Sequence, residues 1–503
     1  MLKKKLSGCL MSLLTGLLLI LSFPSSNLFF LAWFAFIPLL LVVDNENISN
    51  SLLYGFIAGF VSSVGTLYWI VPMVELNTGS WIQAGACLLM LGIYLSLFVV
   101  LWVFLIKIFK PFVSDWVFVI FVGASWVSLE YIKTYLFTGF PWPILGYSQW
   151  NFISFIQLAE YTGVFGISFL VIVGNLLIYE FLKSRKILFY RVLIGIIVFI
   201  SVFGLISVKK PLEQRPSVLV GVIQGNIDQH KKWDKAYRGE ITRTYSSLVS
   251  KVSEKKPGII IWPETAIPGY LPWDRTLLEW TGNLVKNTRA FNIVGTPYYN
   301  GNEVYHNASA VFDPGGKITQ WHKKIHLVPF GEFVPLRKIF SPVFAVLNTL
   351  GDFSKGKEIN ALTVGQIKLG VTICSENLFG NLVRKFVKNG AEIIVNQTND
   401  AWFLKTAAPR QHFIFNIFRA IENRRFVVVS ANTGISGVID PRGKIIRQTQ
   451  TFKQDYFVEK LIPQKRITFY TLFGDVFAYL CILFVFFIIG FKIIKISSSG
   501  RTL

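Results

Sequence analysis

Long apolar runs without charged residues alternate with short polar segments through the first 210 residues and return once near the C-terminus. A helix of about 20 apolar residues crosses the hydrocarbon core of a bilayer, and eight runs approach or exceed that length. They cover residues 8–24, 28–43, 51–73, 84–106, 116–132, 163–182, 190–208 and 472–491. The pattern predicts a multi-pass α-helical membrane domain of about eight spans, with seven in residues 1–210 and the eighth, followed by a cytoplasmic tail, in 467–503.

Basic residues between the runs predict how this domain is oriented. Eight crossings place both termini on one side, and an excess of Lys and Arg marks the cytoplasmic side. Basic groups on that side occur at 3–5, 107–110, 183–191 and 492–501, whereas Lys209 and Lys210 fall on the other side. The bias is uneven, but it predicts that residues 211–466 lie on the outer side of the membrane.

Residues 211–466 have a different pattern, in which short β-branched runs alternate with stretches of helical spacing. The strand-like runs are 217–223, 259–262, 292–295, 308–312, 369–374, 392–396 and 426–430. Helical spacing appears between them, for example in 237–251 and 381–388. This alternation predicts an α/β domain of packed layers, in which strand ends and loops can form a site.

The composition supports membrane insertion and argues against nucleic acid as a partner. The chain is 52% hydrophobic and only 16% charged over 503 residues, which is too apolar for an ordinary soluble protein. Its net charge of +22 is not arranged as a basic stripe interleaved with aromatic residues. We therefore interpret much of the charge as a topology signal and as affinity for anionic lipid.

One cysteine stands out as a candidate nucleophile. Cys374 is the only cysteine in residues 211–466, and it follows a β-branched run, whereas Cys9, Cys87 and Cys481 lie in apolar spans. A thiol without a disulfide partner at the end of a buried strand is a common position for a nucleophile. The alternative is a small buried apolar residue, a frequent role of cysteine.

Two further segments place polar groups in apolar surroundings. Glu264 follows an isoleucine run and Trp262, where a carboxylate tends to have a raised pKa and can exchange protons near neutral pH; it could also be a strand-end cap. Lys323 and Lys324 precede an apolar turn that ends at Glu332. A buried ammonium there could stabilise an oxyanion, although a solvated basic turn explains the pattern equally well, and spacing does not choose between the two lysines.

Histidine chemistry is left open by the sequence. All five histidines lie in residues 211–466, and none occurs in a pattern that selects it as the base for a cysteine. His322 and His326 have the spacing of two metal ligands on a helix, but no glutamate lies between them, and Pro329 and Gly331 interrupt a helix. We expect no metal and no cofactor.

The ordered segments Trp262–Glu264, Lys324 with Leu327–Glu332, and Ile373–Glu376 resemble the nitrilase superfamily, which has an αββα sandwich and a Glu, Lys and Cys catalytic set. Further segments resemble its membrane branch, the apolipoprotein N-acyltransferases: 140–142, 146–149, 224–226, 232–234, 398–403 and 432–436. The resemblance covers nearly the whole chain.

The resemblance implies roles for seven residues. Glu264 would be the general base, Lys324 the cation that stabilises the tetrahedral intermediate, and Cys374 the nucleophile. The supporting or substrate-binding residues would be Glu332, Glu376, Trp233 and Ser375. Ser375 stands where the family often has Tyr, and Leu404 stands where it often has Gly. These departures concern local substrate contacts and leave the Glu, Lys and Cys chemistry intact.

The activity implied by the resemblance is acyl transfer between two lipid substrates. A phospholipid would acylate Cys374, and the N-terminal amine of a diacylglyceryl-cysteine on an apolipoprotein would then take the acyl chain from the thioester, in ping-pong order. The protein would be a monomer in the bacterial inner membrane with its catalytic domain in the periplasm. Phe340, Val343, Phe344, Leu347 and Leu350 recur at helical spacing and could form an apolar lid, or they could be ordinary core.

Two other functions are weighed against this one. A membrane-anchored amidase or nitrilase would use the same Glu, Lys and Cys with water as acceptor, but one span would suffice for it. A transporter would place paired ionisable residues well inside its spans. Glu130, Glu180 and Asp475 are few and lie near span ends.

Overall fold

The computed structural model describes residues 2–24, 26–302, 304–335 and 353–498. The chain divides into two compact units. One consists of Met1–Lys210 together with Phe473–Leu503, and the other is Pro211–Leu472. We call them the membrane unit and the α/β unit. The proposed lid residues, 340–350, lie outside the described residues.

Within the described residues, seven helices of the membrane unit are long and apolar enough to cross a bilayer. They are Leu2–Ser22, Ile48–Thr66, Trp81–Phe109, Asp115–Tyr135, Ala159–Ser184, Ile187–Lys209 and Val476–Ser498. Shorter helices are Ile70–Thr78 and Ile153–Ile156. The predicted multi-pass helical domain is therefore confirmed.

The predicted span 28–43 is the one that does not form a single long helix. It consists of a 3-10 turn, Phe29–Trp33, followed by the eight-residue helix Ile37–Asp44 with Pro38 in its first turn. Proline is well placed at the start of a helix because it has no backbone N–H to donate, but it does not fit a helix interior. The segment is apolar but too short to cross a bilayer as one helix.

Small residues allow the long helices to approach one another closely. A Cβ added at Gly59 would lie 3.0 Å from the backbone Cα of Ser96, on the neighbouring helix Trp81–Phe109. In a membrane, such close backbone contact contributes van der Waals packing that the surrounding lipid cannot supply. A larger residue at position 59 would separate these two helices.

The α/β unit contains two sheets. One has the strand order β13-β1-β2-β4-β5-β6, with β3 paired to β4, and the other has the order β12-β11-β10-β9-β8-β7. The strands are β1 Val218–Gln224, β2 Ile259–Ile261, β3 Leu271–Pro272, β4 Phe291–Tyr299, β5 His306–Phe312, β6 Ile318–Lys323, β7 Leu362–Val364, β8 Ile367–Ile373, β9 Ile393–Thr398, β10 Phe426–Ala431, β11 Gly437–Ile439, β12 Ile445–Gln448 and β13 Asp455–Leu461. The pairs β1–β2, β2–β4, β8–β9 and β9–β10 are parallel.

Alternating residues of β2 show how the layers form. Ile259 and Ile261 belong to an apolar core that also contains residues of β8, β9 and β10, so this core lies between the sheets. Ile260 and Trp262 belong to a second core, which packs helices against the outer face. Successive side chains of a strand point to opposite faces, so one isoleucine-rich run serves both cores.

Helices cover the outer face of each sheet. Arg238–Ser253 and Arg275–Thr288 contribute buried residues to the core on the outside of the first sheet. Gly380–Lys388 and Ala408–Asn423 contact strands β8 and β10 of the second sheet. A short helix, Phe469–Phe473, spans the boundary at which the chain leaves the α/β unit. The order of layers is helix, sheet, sheet, helix, which confirms the predicted αββα sandwich.

Candidate active site

Three turns that follow strands carry the predicted Glu, Lys and Cys. Glu264 comes shortly after β2, Lys324 directly after β6, and Cys374 directly after β8. Glu264 and Lys324 are buried, with 7% and 1% of their surface exposed, and Cys374 is partly buried. The apolar strands fix these positions because a strand end cannot move without disturbing the cores on both faces of its sheet.

Cys374 has an unusual backbone conformation. Its φ is 53°, in the left-handed region, and it begins the 3-10 turn Cys374–Leu378. For a residue other than glycine this conformation costs about 1 kcal/mol. Asn396 on β9 stabilises the turn, because its Nδ2 donates to the Cys374 carbonyl at 3.1 Å and to Thr372 Oγ1 at 3.2 Å.

An asparagine joins two carboxylates of this site. Asn307 on β5 donates from Nδ2 to Glu264 Oε1 at 2.7 Å and to Glu332 Oε1 at 2.9 Å. Burial raises the pKa of Glu264, and the Glu332 charge acts in the same direction, while Lys324 and the Asn307 hydrogen bond oppose them. A raised carboxyl pKa suits a group that must accept and return a proton near neutral pH.

Lys324 is held as a cation by Glu332. Its Nζ lies 2.9 Å from Oε1 and 2.8 Å from Oε2 of that carboxylate. Burial alone would lower the pKa of Lys324, but the charge and hydrogen bond of Glu332, together with the Glu264 charge, raise it above its usual value. Lys323 instead places its Nζ 3.9 Å from the centre of the Tyr298 ring. The structure thus brings Lys324, and not Lys323, beside the carboxylates.

Glu376 ties the lysine turn to the cysteine turn. One of its oxygens, Oε1, accepts from the backbone N–H of Ile325 at 2.6 Å and of His326 at 3.0 Å, and Oε2 accepts from the Ile373 N–H at 2.8 Å. Burial opposes its charge, yet His322, the Ile373 backbone N–H and the Lys324 charge lower the pKa of Glu376. It is therefore a buried, ionised link between the segments that follow β6 and β8.

The Cys374 thiol is protonated in the resting site. Burial raises the pKa of Cys374 above its usual value, Glu264 and Asp400 add to this effect, and Lys324 opposes it. Because a thiol is a poor nucleophile, the cysteine needs a base when substrate arrives. Glu264 is the carboxylate with the largest electrostatic effect on it.

Three histidines face other residues: two of them are hydrogen-bonded, and the third, His322, lies beside Glu376. The His412 ring bonds Asp400 Oδ1 at 2.9 Å and Asn377 Oδ1 at 3.0 Å. His306 bonds the Ser354 carbonyl at 2.7 Å, and His322 lies 3.6 Å from Glu376. The geometry thus favours Glu264 over these histidines as the base. Among the described residues, no group of three or more His, Cys, Asp or Glu side chains is placed to hold a metal ion.

The two remaining predicted residues occupy different environments. Trp233 is 46% exposed, and its ring centre lies 6.1 Å from that of Tyr270. Ser375 Oγ is buried and has no hydrogen-bond partner in the part of the chain that the structure describes. Neither side chain is hydrogen-bonded to the buried carboxylates and lysine in that part of the chain.

Sequence analysis missed Asn307 and Asn396, and it assigned no role to Lys232, although segment 232–234 is part of the family resemblance. The two asparagines interrupt apolar strands, and a polar residue in such a run could have signalled a site because burying an amide is costly unless it is bonded. Lys232 lies in a segment of mixed polarity with no such signal. Its Nζ donates to the backbone carbonyl of Glu264 at 3.2 Å.

Comparison with known proteins agrees with this architecture. Residues 219–466 match the family model of carbon-nitrogen hydrolases, and residues 15–177 match the N-terminal domain model of apolipoprotein N-acyltransferases. The α/β unit is thus a carbon-nitrogen hydrolase domain, carried by an integral membrane protein.

Relatives of the whole chain are more specific. The apolipoprotein N-acyltransferase of Geobacter metallireducens is 35% identical over 94% of this chain and 93% of its own length. That of Haemophilus ducreyi is 30% identical over 96% of this chain and 97% of its own length. The chain belongs to the apolipoprotein N-acyltransferase family. Among solved structures, a carbon-nitrogen hydrolase from Helicobacter pylori G27 is similar over 48% of this chain and 88% of its own, with 14% identity and a TM-score of 0.38.

Proposed function

We propose that the protein transfers an acyl chain from a phospholipid to the N-terminal amine of a diacylglyceryl-cysteine on an apolipoprotein, through a thioester on Cys374. The observation that carries the proposal is that Cys374, Glu264 and Lys324 all follow strand ends and interact electrostatically, in a chain that also has seven helices of membrane-spanning length among its described residues. The family of the chain supports the same activity.

In the first half-reaction, Cys374 Sγ attacks the ester carbonyl while Glu264 accepts the thiol proton. Negative charge develops on the carbonyl oxygen, and the Lys324 ammonium stabilises it in a site with little water to reorganise. The intermediate collapses by breaking the bond to the glyceryl oxygen, which takes the proton from Glu264. The products are a lysophospholipid and acyl-Cys374.

In the second half-reaction, a neutral α-amine attacks the thioester carbonyl. Glu264 accepts one proton from the attacking nitrogen and returns it to Sγ as the carbon-sulfur bond breaks. The product amide is more stable than the thioester, so the transfer is downhill. Because the lysophospholipid leaves before the amine reacts, the kinetics are ping-pong.

The remaining site residues have supporting parts in this proposal. Glu332 keeps Lys324 charged and oriented, and Glu376 fixes the distance between the lysine and cysteine turns. Ser375 follows the nucleophile directly, and the exposed ring of Trp233 offers an apolar contact for a lipid substrate. Asn307 holds the base and Glu332 in place.

The location of the enzyme is part of the same proposal. The uneven distribution of basic residues favours a catalytic domain of residues 211–466 on the periplasmic side of the bacterial inner membrane, with residues 467–503 forming the last span and a cytoplasmic tail. There the monomer would meet both lipid substrates. A membrane-impermeant thiol reagent applied to whole spheroplasts would label a cysteine placed at exposed Lys388 if this orientation is right, and would leave it unlabelled if it is reversed.

The direct test of the proposed function is mass spectrometry of the purified protein incubated with phospholipid alone. We expect one acyl mass on the Cys374 peptide, and its loss when a diacylglyceryl-cysteinyl peptide is added. The variant C374A serves as control and should acquire no acyl mass. The rival activity, hydrolysis by a membrane-anchored amidase or nitrilase, predicts loss of the acyl group to water at the same rate without the peptide.

A further inference from the structure

Lys232 is a buried lysine beside the proposed base. Only 2% of its surface is exposed, and its Nζ donates to the backbone carbonyl of Glu264 at 3.2 Å. In the part of the chain that the structure describes, no ion pair with a carboxylate within 4.0 Å involves this Nζ. By contrast, its neighbour Lys231 faces outward and pairs with Glu240 at 3.3 Å.

The surroundings of this lysine favour its neutral form, which can accept a proton. Burying an ammonium without a carboxylate partner costs several kcal/mol, so the neutral form is favoured. Burial lowers the pKa of Lys232 to about 7, with the Glu264 charge acting in the opposite direction. On its own segment, the Asp228 and Asp234 carboxylates accept backbone N–H groups of His230 and Ala236. The two buried lysines near Glu264 therefore differ, because Lys324 is paired and charged whereas Lys232 is unpaired.

In the second half-reaction, the acceptor must lose one proton in addition to the one that Glu264 transfers. The acceptor amine reaches the enzyme largely as an ammonium, since its ordinary pKa is about 8 and the carboxylates of Glu264 and Glu332 favour a cation. Of its three N–H protons, one stays in the amide and one passes through Glu264 to Sγ of Cys374. The third proton has to leave before the nitrogen can attack.

We propose that Lys232 accepts this third proton, so that the α-amine attacks acyl-Cys374 in its neutral form. The neutral lysine becomes an ammonium as the ammonium becomes an amine, and no other bond changes. After the amide product leaves, the lysine returns the proton to solvent beside the exposed Trp233. The proposal rests on the acyl transfer proposed above, but it concerns the second half-reaction only.

The test separates the two half-reactions in the full-length protein. Wild type, K232M and K232R are incubated with phospholipid, and acylation of Cys374 is followed by mass spectrometry before a diacylglyceryl-cysteinyl peptide is added. Acylation should stay within about threefold of wild type in both variants, while transfer to the peptide slows about 100-fold, the usual contribution of one proton-transfer group. K232R retains a donor for the Glu264 carbonyl and stays charged, so it removes the base while preserving the contact.

Hydroxylamine provides the matched control, because it is uncharged at neutral pH and carries no extra proton. Acyl-Cys374 of both variants should react with hydroxylamine at the wild-type rate. The pH profile of transfer to the peptide should rise through about pH 7 in wild type and lose this step in K232R.

Transfer by K232R to the peptide at the wild-type rate would overturn the proposal. Equal slowing of acylation and transfer in both variants would also overturn it, because it would show that the lysine only supports the Glu264 turn. Failure of the wild-type protein to form acyl-Cys374 would instead contradict the proposed function itself, which keeps the two outcomes distinct.

Discussion

Asn307 is hydrogen-bonded to the proposed base, Glu264, so its substitution changes the pKa of the base while the base itself stays in place. Its single Nδ2 holds Glu264 Oε1 at 2.7 Å and Glu332 Oε1 at 2.9 Å, and the residue is only 4% exposed. The variant N307A removes both hydrogen bonds. A hydrogen bond to a charged group contributes about 1.5–3 kcal/mol, and losing that amount from the ionised base corresponds to a rate about 10-fold to 100-fold lower.

The direction of the pH effect follows from the same contact. The Asn307 hydrogen bond lowers the pKa of Glu264, so its removal raises that pKa and leaves more of the base protonated at neutral pH. We expect the acid limb of the rate of Cys374 acylation to move to higher pH. At high pH, where Glu264 is ionised in both proteins, the difference between N307A and wild type should shrink.

The assay is acylation of Cys374 by phospholipid, measured by mass spectrometry as a function of pH in both proteins. Asn292 offers a matched control, since it is equally buried and bonds Trp262 Nε1 through Oδ1 at 2.9 Å on the helix-facing side of the sheet. N292A should lower the melting temperature and leave the acid limb in place. An N307A enzyme with the wild-type rate and acid limb would refute this account of how Glu264 is tuned.

Three further predictions concern the charges around the nucleophile. The variant E264Q should increase the rate at which iodoacetamide alkylates resting Cys374, because removing a negative neighbour lowers the thiol pKa. The same variant should slow acyl transfer about 100-fold or more, because it lacks the base. Slower alkylation of E264Q than of wild type would contradict the assigned electrostatics. K324M should destabilise the fold by about 3 kcal/mol by leaving the partly buried Glu332 carboxylate without its cation, and it should abolish transfer. The control K323M should keep both stability and activity close to wild type in denaturation and transfer assays. E376Q should lower the free energy of unfolding by about 2 kcal/mol in chemical denaturation at pH 7. This deficit should shrink as the pH falls below the ordinary carboxyl pKa of 4.5, because the pKa of Glu376 is lowered in the fold and its stabilisation is lost on protonation. A deficit independent of pH would show that the Glu376 charge is not what stabilises the turns.

The elements of the fold could be predicted where the apolar pattern is compatible with only one kind of secondary structure. The run that ends at Trp262 and the run that ends at Cys374 are apolar on both faces, as expected for strands between a helix layer and a second sheet. The span-length helices were predictable for a similar reason. An uncharged apolar run of that length is too costly to expose to water, and as a helix it is long enough to cross a bilayer. The segment 28–43 was less predictable because its composition suits a span while Pro38 sets a short helix within it.

The site was predictable only in part, because its residues meet through the fold and not along the chain. Glu264 and Cys374 could be selected from their strand-end positions, but the choice of Lys324 over Lys323 depended on the family resemblance. The structure supplies the physical reason, which is the contact with Glu332. Asn307 and Lys232 act through single contacts with residues far away in sequence, and nothing local to either residue indicates those partners.

The link made by Glu376 has a consequence for redesign. Because one carboxylate fastens the segment after Lys324 to the turn of Cys374, the proposed oxyanion donor and the sulfur are held in a fixed relation. Attempts to give the enzyme a new acyl donor or a shorter acceptor should therefore leave the strand ends alone and vary the exposed aromatic surface near Trp233.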